Sequence, residues 1–385
     1  MTQALTIEVL KEARSQASAG TPSIPAPEKL DALARELDAL RDAVRADLGE
    51  RDASYIRNLI RIQRMSEIAG RTFIHLGITP VSFGLGVVAL SIAKILDNME
   101  IGHNVMHGQY DWMNDPLIHS RNFDWDTACD KDSWKRTHNY EHHTFTNIVG
   151  KDRDYGYAVL RLSDDTPWHP LRLPQIVYFG LLSLFFQWGV ALHELEAERL
   201  WNGTFRLEEK KGYLRDAAKK AGRQIFKDYV FFPALAGPLF WKVMLGNGLA
   251  NAARNLWAST IIFCGHFTEG AHTFTPEECE NESRGHWYYR QLTGSSNFEG
   301  GRWLHILSGH LSYQIEHHLF PDLPAHRYPE ISLEVRRIAE RYGIPYNTGP
   351  FWKQYLSVVK RVLRYSLPGR RKHRAAGMAE AAVTA

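Results

Sequence analysis

The chain has 385 residues, with 46 Lys+Arg against 43 Asp+Glu and a formal net charge of +3. With 44% hydrophobic and 23% charged residues, that excludes a disordered polymer, a collagen-like fibre and a protein that binds nucleic acid through bulk charge. A mean hydropathy of -0.34 suits a soluble protein, but 18 His and 12% aromatic residues sit oddly with it.

Residues 1 to about 27 are rich in Ala, Ser and Pro and read as a loose arm, and no apolar run there predicts a cleaved signal peptide. From Lys29 to about Arg64 the pattern turns helical. Leu30, Leu33, Leu37 and Leu40 recur every three or four positions among Asp, Glu and Arg, so one amphipathic helix or two are expected. Thr72 to Ala93 then carries no Asp, Glu, Lys or Arg, and the apolar character runs on through Ile95, Leu96 and Val105. Leu173 to His193 is again free of those residues, and Tyr229 to Thr268 contains only Lys242 and Arg254. Uncharged runs of about 20 residues are candidate transmembrane helices. The low mean hydropathy then sums a membrane anchor and a polar, water-exposed part. Three cysteines without a CxxC pair (Cys129, Cys264, Cys279) fit a reducing compartment and argue against a disulfide scaffold or a thiolate zinc site.

Seven histidines lie in three short clusters: His103-Asn-Val-Met-His107, His138-Asn-Tyr-Glu-His142-His143 and Gln314-Ile-Glu-His317-His318. Such spacings put two or three imidazoles on one helix face, within reach of one metal ion or a pair. Neutral imidazole nitrogens suit iron, zinc or copper. A single HxxxH is weak evidence, because a satisfied core histidine is common. Three clusters are not explained by packing, since burying so many polar rings without partners is costly. His193-Glu194 begins like an HExxH metalloprotease helix, but residue 197 is Ala and that reading fails. Lys151-Asp152-Arg153-Asp154 reads as a solvated charged turn, the alternative being contact with a polar head group such as the phosphates of CoA. Trp134, four residues before His138, is placed to pack on a metal site.

Together the clusters resemble the three histidine boxes of the membrane fatty acid desaturase family, from about Lys94 to Pro324. The most specific stretches are DNMEIGHNVMHGQYDWMND, THNYEHHTFTN followed by KDRDY, and YQIEHHLFPDLP. Gln opening the third box and Leu-Phe-Pro closing it look more like acyl-CoA and acyl-lipid desaturases than like hydroxylases or alkane monooxygenases. The run KILDNMEIGHNVMHG is similar to bacterial enzymes acting on long saturated acyl chains. The resemblance implies an all-α fold: an integral membrane bundle of about four transmembrane helices, with a cytosolic helical cap holding a histidine-rich di-metal site.

The implied metal is a pair of iron ions, with zinc able to substitute in a purified sample. Carried over box by box, the ligands are His103, His107, His138, His142, His143, His317 and His318. The family's further ligand, at the inner end of the last transmembrane helix, matches His266, with His272 the weaker match. Gln314 departs from an all-histidine third box. It can ligate through its carbonyl oxygen or hold a metal-bound water, while His310, one turn earlier on the same face, could fill the gap. The expectation is Gln314 near the metal, His310 behind it and His305 packing nearby.

An unactivated methylene has no acidity and no leaving group, so side chains alone cannot attack it. The resemblance implies O2-dependent introduction of a cis double bond into a long-chain acyl substrate, acyl-CoA favoured over acyl-lipid, with O2 reduced to water. The alternatives are a hydroxylase or related di-iron oxygenase on the same scaffold, or a non-catalytic membrane zinc-binding or transport protein. No GxGxxG fingerprint, iron–sulfur cysteine set or His-Pro-Gly-Gly haem signature occurs, so a separate ferredoxin or flavoprotein reductase is expected to supply electrons. The basic tail RVLRYSLPGRRKHR could dock it or the anionic membrane face, although a solvated tail is the commoner reading.

One metal centre needs all its ligands on one side of the membrane, so an even number of crossings must separate them. Residues 194–228 carry nine Lys/Arg and are placed in the cytosol by the positive-inside rule. The stretch 173–193 should then lie along the interface, leaving four spanning helices at about 68–86, 87–106, 227–244 and 246–266. Lys94, Asp97 and Glu100 are tolerable if they face the bundle, the metal or the membrane surface. Three regions are expected: an arm with cytosolic amphipathic helices over 1–65, a membrane desaturase domain over 66–325, and C-terminal cytosolic helices with a basic tail over 326–385. The location expected is a bacterial inner membrane, the active site facing the cytosol.

Overall fold

The structure is a computed structural model that describes residues 24–196, 199, 203 and 206–368. Most of the expected N-terminal arm, and the basic tail from residue 369 on, lie outside them. The described residues are helical, joined by turns, with isolated bridges but no strand among them.

The helical stretch from Lys29 holds two helices, α1 (Pro27–Ala46), which carries the four leucines, and α2 (Glu50–Leu76), broken at Gly49. Leu30, Leu33 and Leu37 are buried against Tyr288, Ile315 and Leu319, so the stripe of α1 covers the segment carrying the third histidine box. α2 runs on to Leu76 and turns at residues 77–79 into α3 (Pro80–Met106). The expected span at 68–86 is therefore divided between two helices. The cause is local: Pro80 takes the first helical position, Thr79 Oγ1 accepts from Ser82 N–H, and Ser82 Oγ accepts from Thr79 N–H, each at 3.1 Å. α2 and α3 approach so closely that a Cβ on Gly70 would stand 2.5 Å from the backbone nitrogen of Leu90.

A second hairpin repeats the first. A helix over 211–234 (α7) breaks at residues 235–239, where Gly237-Pro238 interrupts it, and returns as α8 (Phe240–His266). The expected spans at 227–244 and 246–266 are corrected accordingly, since residues 240–244 belong to the returning helix. Ile74, Leu90, Val243 and Ala250 join the two hairpins in one apolar cluster. Between them, α5 (Gln175–Leu184) and α6 (Phe186–His193) meet at an angle of 96°. By length and composition α3 is long and apolar enough to cross a membrane, and α5 with α6 qualifies only as a bent pair.

The remaining helices build the cap: α4 (131–145) carries the second box, α9 is Arg284–Gly294, α10 is Arg302–Leu307 and α11 (Gln314–Leu319) carries the third. α12 (Tyr328–Tyr342) and α13 (Phe351–Ser366) close it. Two stretches that hold histidine boxes are π-helical, Asp97–His103 within α3 and Lys135–His142 within α4. π-helical turns are rare and cluster at functional sites.

Where α2 meets the cap, His326 stacks on Tyr55 at 4.2 Å and its Nε2 lies 2.8 Å from Asp52 Oδ1. Burial pushes this imidazole down to about 4, against the pull of Asp52. An unfolded histidine titrates near 6.5, so below that pH the unfolded chain holds more protons than the folded one. This contribution to stability is full above pH ~6.5 and is lost as the pH falls toward ~4. Thermal unfolding in detergent is expected to show that loss, and His326→Phe to flatten the pH dependence. An equal slope in the variant would refute the assignment.

Candidate metal centre

α3 carries His103 in its last turn with His107 just beyond it, α8 ends on His266, and α4 and α11 bring the other boxes to the same place. Two groups of imidazole nitrogens result: His103, His107, His138 and His317 in one, His142, His266 and His318 in the other, with donor atoms within 4.8 Å of one another in each. His143 stands between them, its ring 4.7 Å from His107, 4.9 Å from His317 and 4.4 Å from His318. Every box histidine and His266 thus enters one buried assembly.

Its geometry suits metal binding. His103 Nε2 and His317 Nε2 are 3.2 Å apart, and His318 Nε2 and His266 Nε2 are 3.1 Å apart. Two nitrogens each about 2.1 Å from one ion and at right angles stand about 3.0 Å apart. Several buried nitrogens also lack any hydrogen-bond partner: Nε2 of His107 and of His138, and both ring nitrogens of His143. An apolar core would not hold so many unpaired acceptors, whereas a cation satisfies them. Burial and the neighbouring imidazoles hold His143, His317 and His318 well below the ordinary range, which keeps their nitrogens free for a metal.

Gln314 also enters the assembly: its amide lies 3.0 Å from His266 Nε2, and its Oε1 has no partner. Gly265 makes that room, because a Cβ there would stand 2.7 Å from Gln314 Cγ. His310 lies outside both groups. It occupies a left-handed backbone conformation (φ 53°) and places Nδ1 2.9–3.0 Å from both oxygens of Glu100, to which Tyr55 OH also donates at 2.7 Å. Glu100 belongs to the π-helical turn that carries His103, so His310 acts on the site through that turn. His305 bonds Ser312, and the backbone of His272 pairs with Thr293 and Asn147, both outside the cluster.

The reading of 151–154 as a solvated turn is overturned. Asp152 is buried, both its oxygens lying 3.0–3.1 Å from His142 Nδ1, and it also accepts from Asn147 N–H at 2.7 Å. Asp154 lies 2.8 Å from His138 Nδ1 and 3.1 Å from His193 Nε2. These carboxylates accept from Nδ1–H and so turn Nε2 of each imidazole toward the cluster, as carboxylates behind metal-bound histidines do. At His142 burial, the largest influence, is outweighed by Asp152, which lifts the imidazole's pKa and makes it a more basic donor. Gln291 Oε1 plays the same part 3.0 Å from His318 Nδ1. The sequence marks the two aspartates only as a turn or a head-group contact, and it does not mark Gln291 at all. The signal lay in plain view for the aspartates, since an acidic pair just after a histidine box is what a ligand's second nitrogen needs.

Trp134 packs where expected, stacked on His138 at 4.5 Å and edge-on to His103. It forms part of the wall of a cavity whose other apolar walls include Met99, Trp125, Tyr157, Phe186 and Ile262. His103 and His138 edge this cavity. The arrangement sets a cluster of metal-competent nitrogens against a narrow apolar space, which is what chemistry on an aliphatic chain requires.

Known proteins agree with that chemistry. The family model described as fatty acid desaturase matches residues 79–350. The chain is 46% identical over 343 residues to the NADPH-dependent stearoyl-CoA 9-desaturase of Mycobacterium tuberculosis, covering 88% of this chain and 80% of that protein. It is 25% identical over 277 residues to the sn-1 linoleoyl-lipid 6-desaturase of Synechocystis sp., covering 70% and 76%. Over 256 residues it is 27% identical to the acyl-lipid (7-3)-desaturase of Rebecca salina, covering 62% and 53%. The hydroxylase and zinc-transport alternatives fall away, and the chain belongs to the fatty acid desaturase family, as an enzyme that desaturates fatty acyl chains.

Proposed function

We propose that this chain is a membrane-embedded, di-iron, O2-dependent desaturase that places a cis double bond in a long saturated acyl-CoA. The observation that carries the reading is the pair of imidazole groups with unbonded nitrogens, the first of which edges an apolar cavity through His103 and His138. The proposed ligands are His103, His107, His138 and His317 for one ion, and His142, His266 and His318 with Gln314 beside them for the other, His143 lying between. Histidine-rich sites suit iron that changes oxidation state, and zinc would occupy the same nitrogens. A metal pair bound there would supply the reductive activation of O2 that oxidation of an unactivated C–H bond needs, with electrons from the external donor.

The chain's own residues do the rest. Asp152 and Asp154 hold a proton at Nδ1 of His142 and His138 and fix both rings. Met99, Trp134, Phe186 and Ile262 line a space that fits a methylene chain and little water, which fixes one pair of carbons before the metals. Substrate class and electron supply are supported by the mycobacterial relative, whose name specifies stearoyl-CoA and NADPH. The electrons then come from a separate ferredoxin or flavoprotein reductase.

Four membrane crossings, as two hairpins, fit the exposed side chains. Phe73, Leu76, Ile78, Val81, Leu85 and Val88 are exposed around the first tip, and Phe231, Leu235, Leu239, Phe240, Trp241 and Leu245 around the second. Apolar patches of that size on a free surface would aggregate in water, and lipid covers them. The sharply bent α5–α6 then stays at the interface, both its ends on the cytosolic side of a bacterial inner membrane.

Purified enzyme with reductase, NADPH and O2 tests the reading. Stearoyl-CoA is expected to give a cis alkene and a stearoyl phospholipid none, and iron but not zinc should restore chelated enzyme. Equal turnover of the phospholipid would refute the acyl-CoA assignment, and restoration by zinc would refute the di-iron one.

A further inference from the structure

A second groove lies beside the first hairpin and shares no lining residue with the apolar cavity at the metal centre. α2 sets Arg57, Arg61 and Arg64 along it, at spacings of four and three that put all three on one helix face. The loop after the first histidine box supplies Asp115 and Asp124, and the buried Ile101 and Ile118 form the floor. Most of the charges are engaged elsewhere. Asp124 lies 2.6 Å from Lys220 Nζ, Arg57 Nη1 lies 3.6 Å from Glu50, and Arg61 Nη1 donates to Asn58 Oδ1 at 2.8 Å. Asp97, also on the groove, accepts from Asp126 N–H at 2.7 Å. Two are not. The Arg64 guanidinium has no hydrogen bond or ion pair with any described residue, and the Asp115 carboxylate accepts only from Leu117 N–H, at 3.0 Å. Opposite charges thus line one groove without reaching each other.

We propose that this groove seats one phospholipid of the inner leaflet whose head group carries both a phosphate and a primary ammonium, as phosphatidylethanolamine does. The inference rests on the membrane-hairpin reading above. Arg64, Arg61 and Arg57 stand about 18 to 29 Å from the turn at 77–79, at 1.5 Å per residue along α2. The hydrocarbon of a bilayer is about 30 Å thick, so the row climbs from its inner half to the cytosolic boundary. In water an unpaired guanidinium is merely solvated, but at that depth it needs a counter-charge. A phosphate matches its fork, and the exposed Ile62, Met65 and Ile68 of the same helix meet the lipid's acyl chains.

The aspartates choose among head groups. Phosphatidylglycerol brings only negative charge and would set it near Asp115 and Asp124. Phosphatidylcholine has a cation without an N–H to donate. The ammonium of phosphatidylethanolamine, two carbons from its phosphate, offers Asp115 both charge and hydrogen bonds. A lipid held this way ties α2 to the loop that follows His107.

The test uses the full-length, iron-loaded enzyme in nanodiscs of phosphatidylethanolamine, phosphatidylglycerol and phosphatidylcholine in equal parts, released for native mass spectrometry. One phosphatidylethanolamine is expected to stay bound about tenfold more often than either other lipid. Arg61→Ala combined with Arg64→Ala should lower that retention about tenfold, and Asp115→Asn should erase the preference over phosphatidylglycerol. Unchanged retention in variants that keep the wild-type unfolding temperature overturns the proposal, and so does a wild-type preference for phosphatidylglycerol. Displacement of the lipid by stearoyl-CoA would also overturn it, giving the groove to the phosphates of CoA. If the double variant does not fold, Arg64→Gln and Asp115→Asn decide. Labelling of Ile78→Cys from the cytosolic side would refute the hairpin topology instead, with the retention series still deciding the groove.

Discussion

His142→Ala is expected to abolish alkene formation, by a thousandfold or more, and to lower bound iron to half or less. The reason is the position of His142 between two kinds of partner. Its ring is 4.7 Å from His266 and 5.0 Å from both His138 and His318, so it joins the two groups of nitrogens. Its Nδ1 is held by both oxygens of Asp152. Removing the imidazole deletes a donor and leaves a buried carboxylate without its proton donor, and neither loss can be repaired by rotation of a neighbour. The measurement is fatty acid analysis by gas chromatography alongside metal content of the purified protein. A variant that keeps both metals and more than a few per cent of activity would remove His142 from the site.

Asp152→Asn is the second large effect, and it tests how the ligands are held rather than which they are. The amide keeps the volume and still offers one oxygen to His142, but it loses the charge that makes the imidazole a strong donor. Changes of this kind behind a metal-bound histidine commonly cost about 10- to 100-fold in metal affinity or activity. A loss in that range is expected here, with weaker iron retention against a chelator. Asp152 also accepts from Asn147 N–H, so Asp152→Ala should in addition lower the unfolding temperature. If Asp152→Asn holds iron as tightly as wild type, the carboxylate is merely structural.

Each part of the fold and site was legible in the sequence to the extent that it is written locally. The leucine stripe of α1 and the boxes are patterns within a few residues, and all the imidazoles they named meet in one place. His266 was marked by its position at the end of an apolar block, and α8 does end there. The helix breaks were missed because hydropathy averages over a window, while Thr79-Pro80 and Gly237-Pro238 act through one or two residues. Asp152 and Asp154 were misread for a related reason. A charged run after a box is a solvated turn unless the chain reverses, and here residues 146–152 fold back so that carboxylates point at the box. The pairing of His310 with Glu100 is a contact between distant parts of the chain that no spacing announces. Gln187 accepts from Arg254 Nη2 at 2.6 Å, a contact made across the bend between α5 and α6 that no spacing announces either.

The π-helical turns in α3 and α4 have a consequence for how this site tolerates change. A π turn is an α-helix with one residue too many, accommodated by widening a single turn. Deleting one residue from Asp97–Ile101 or from Lys135–Thr137 would let the helix relax to ordinary α geometry. Because the widened turn itself absorbs the extra residue, the histidines beyond it would keep nearly their direction, whereas the same deletion in an ordinary α-helical turn would swing them by about 100°. The reading frame of the helix, more than the count of its imidazoles, is what the metal centre depends on.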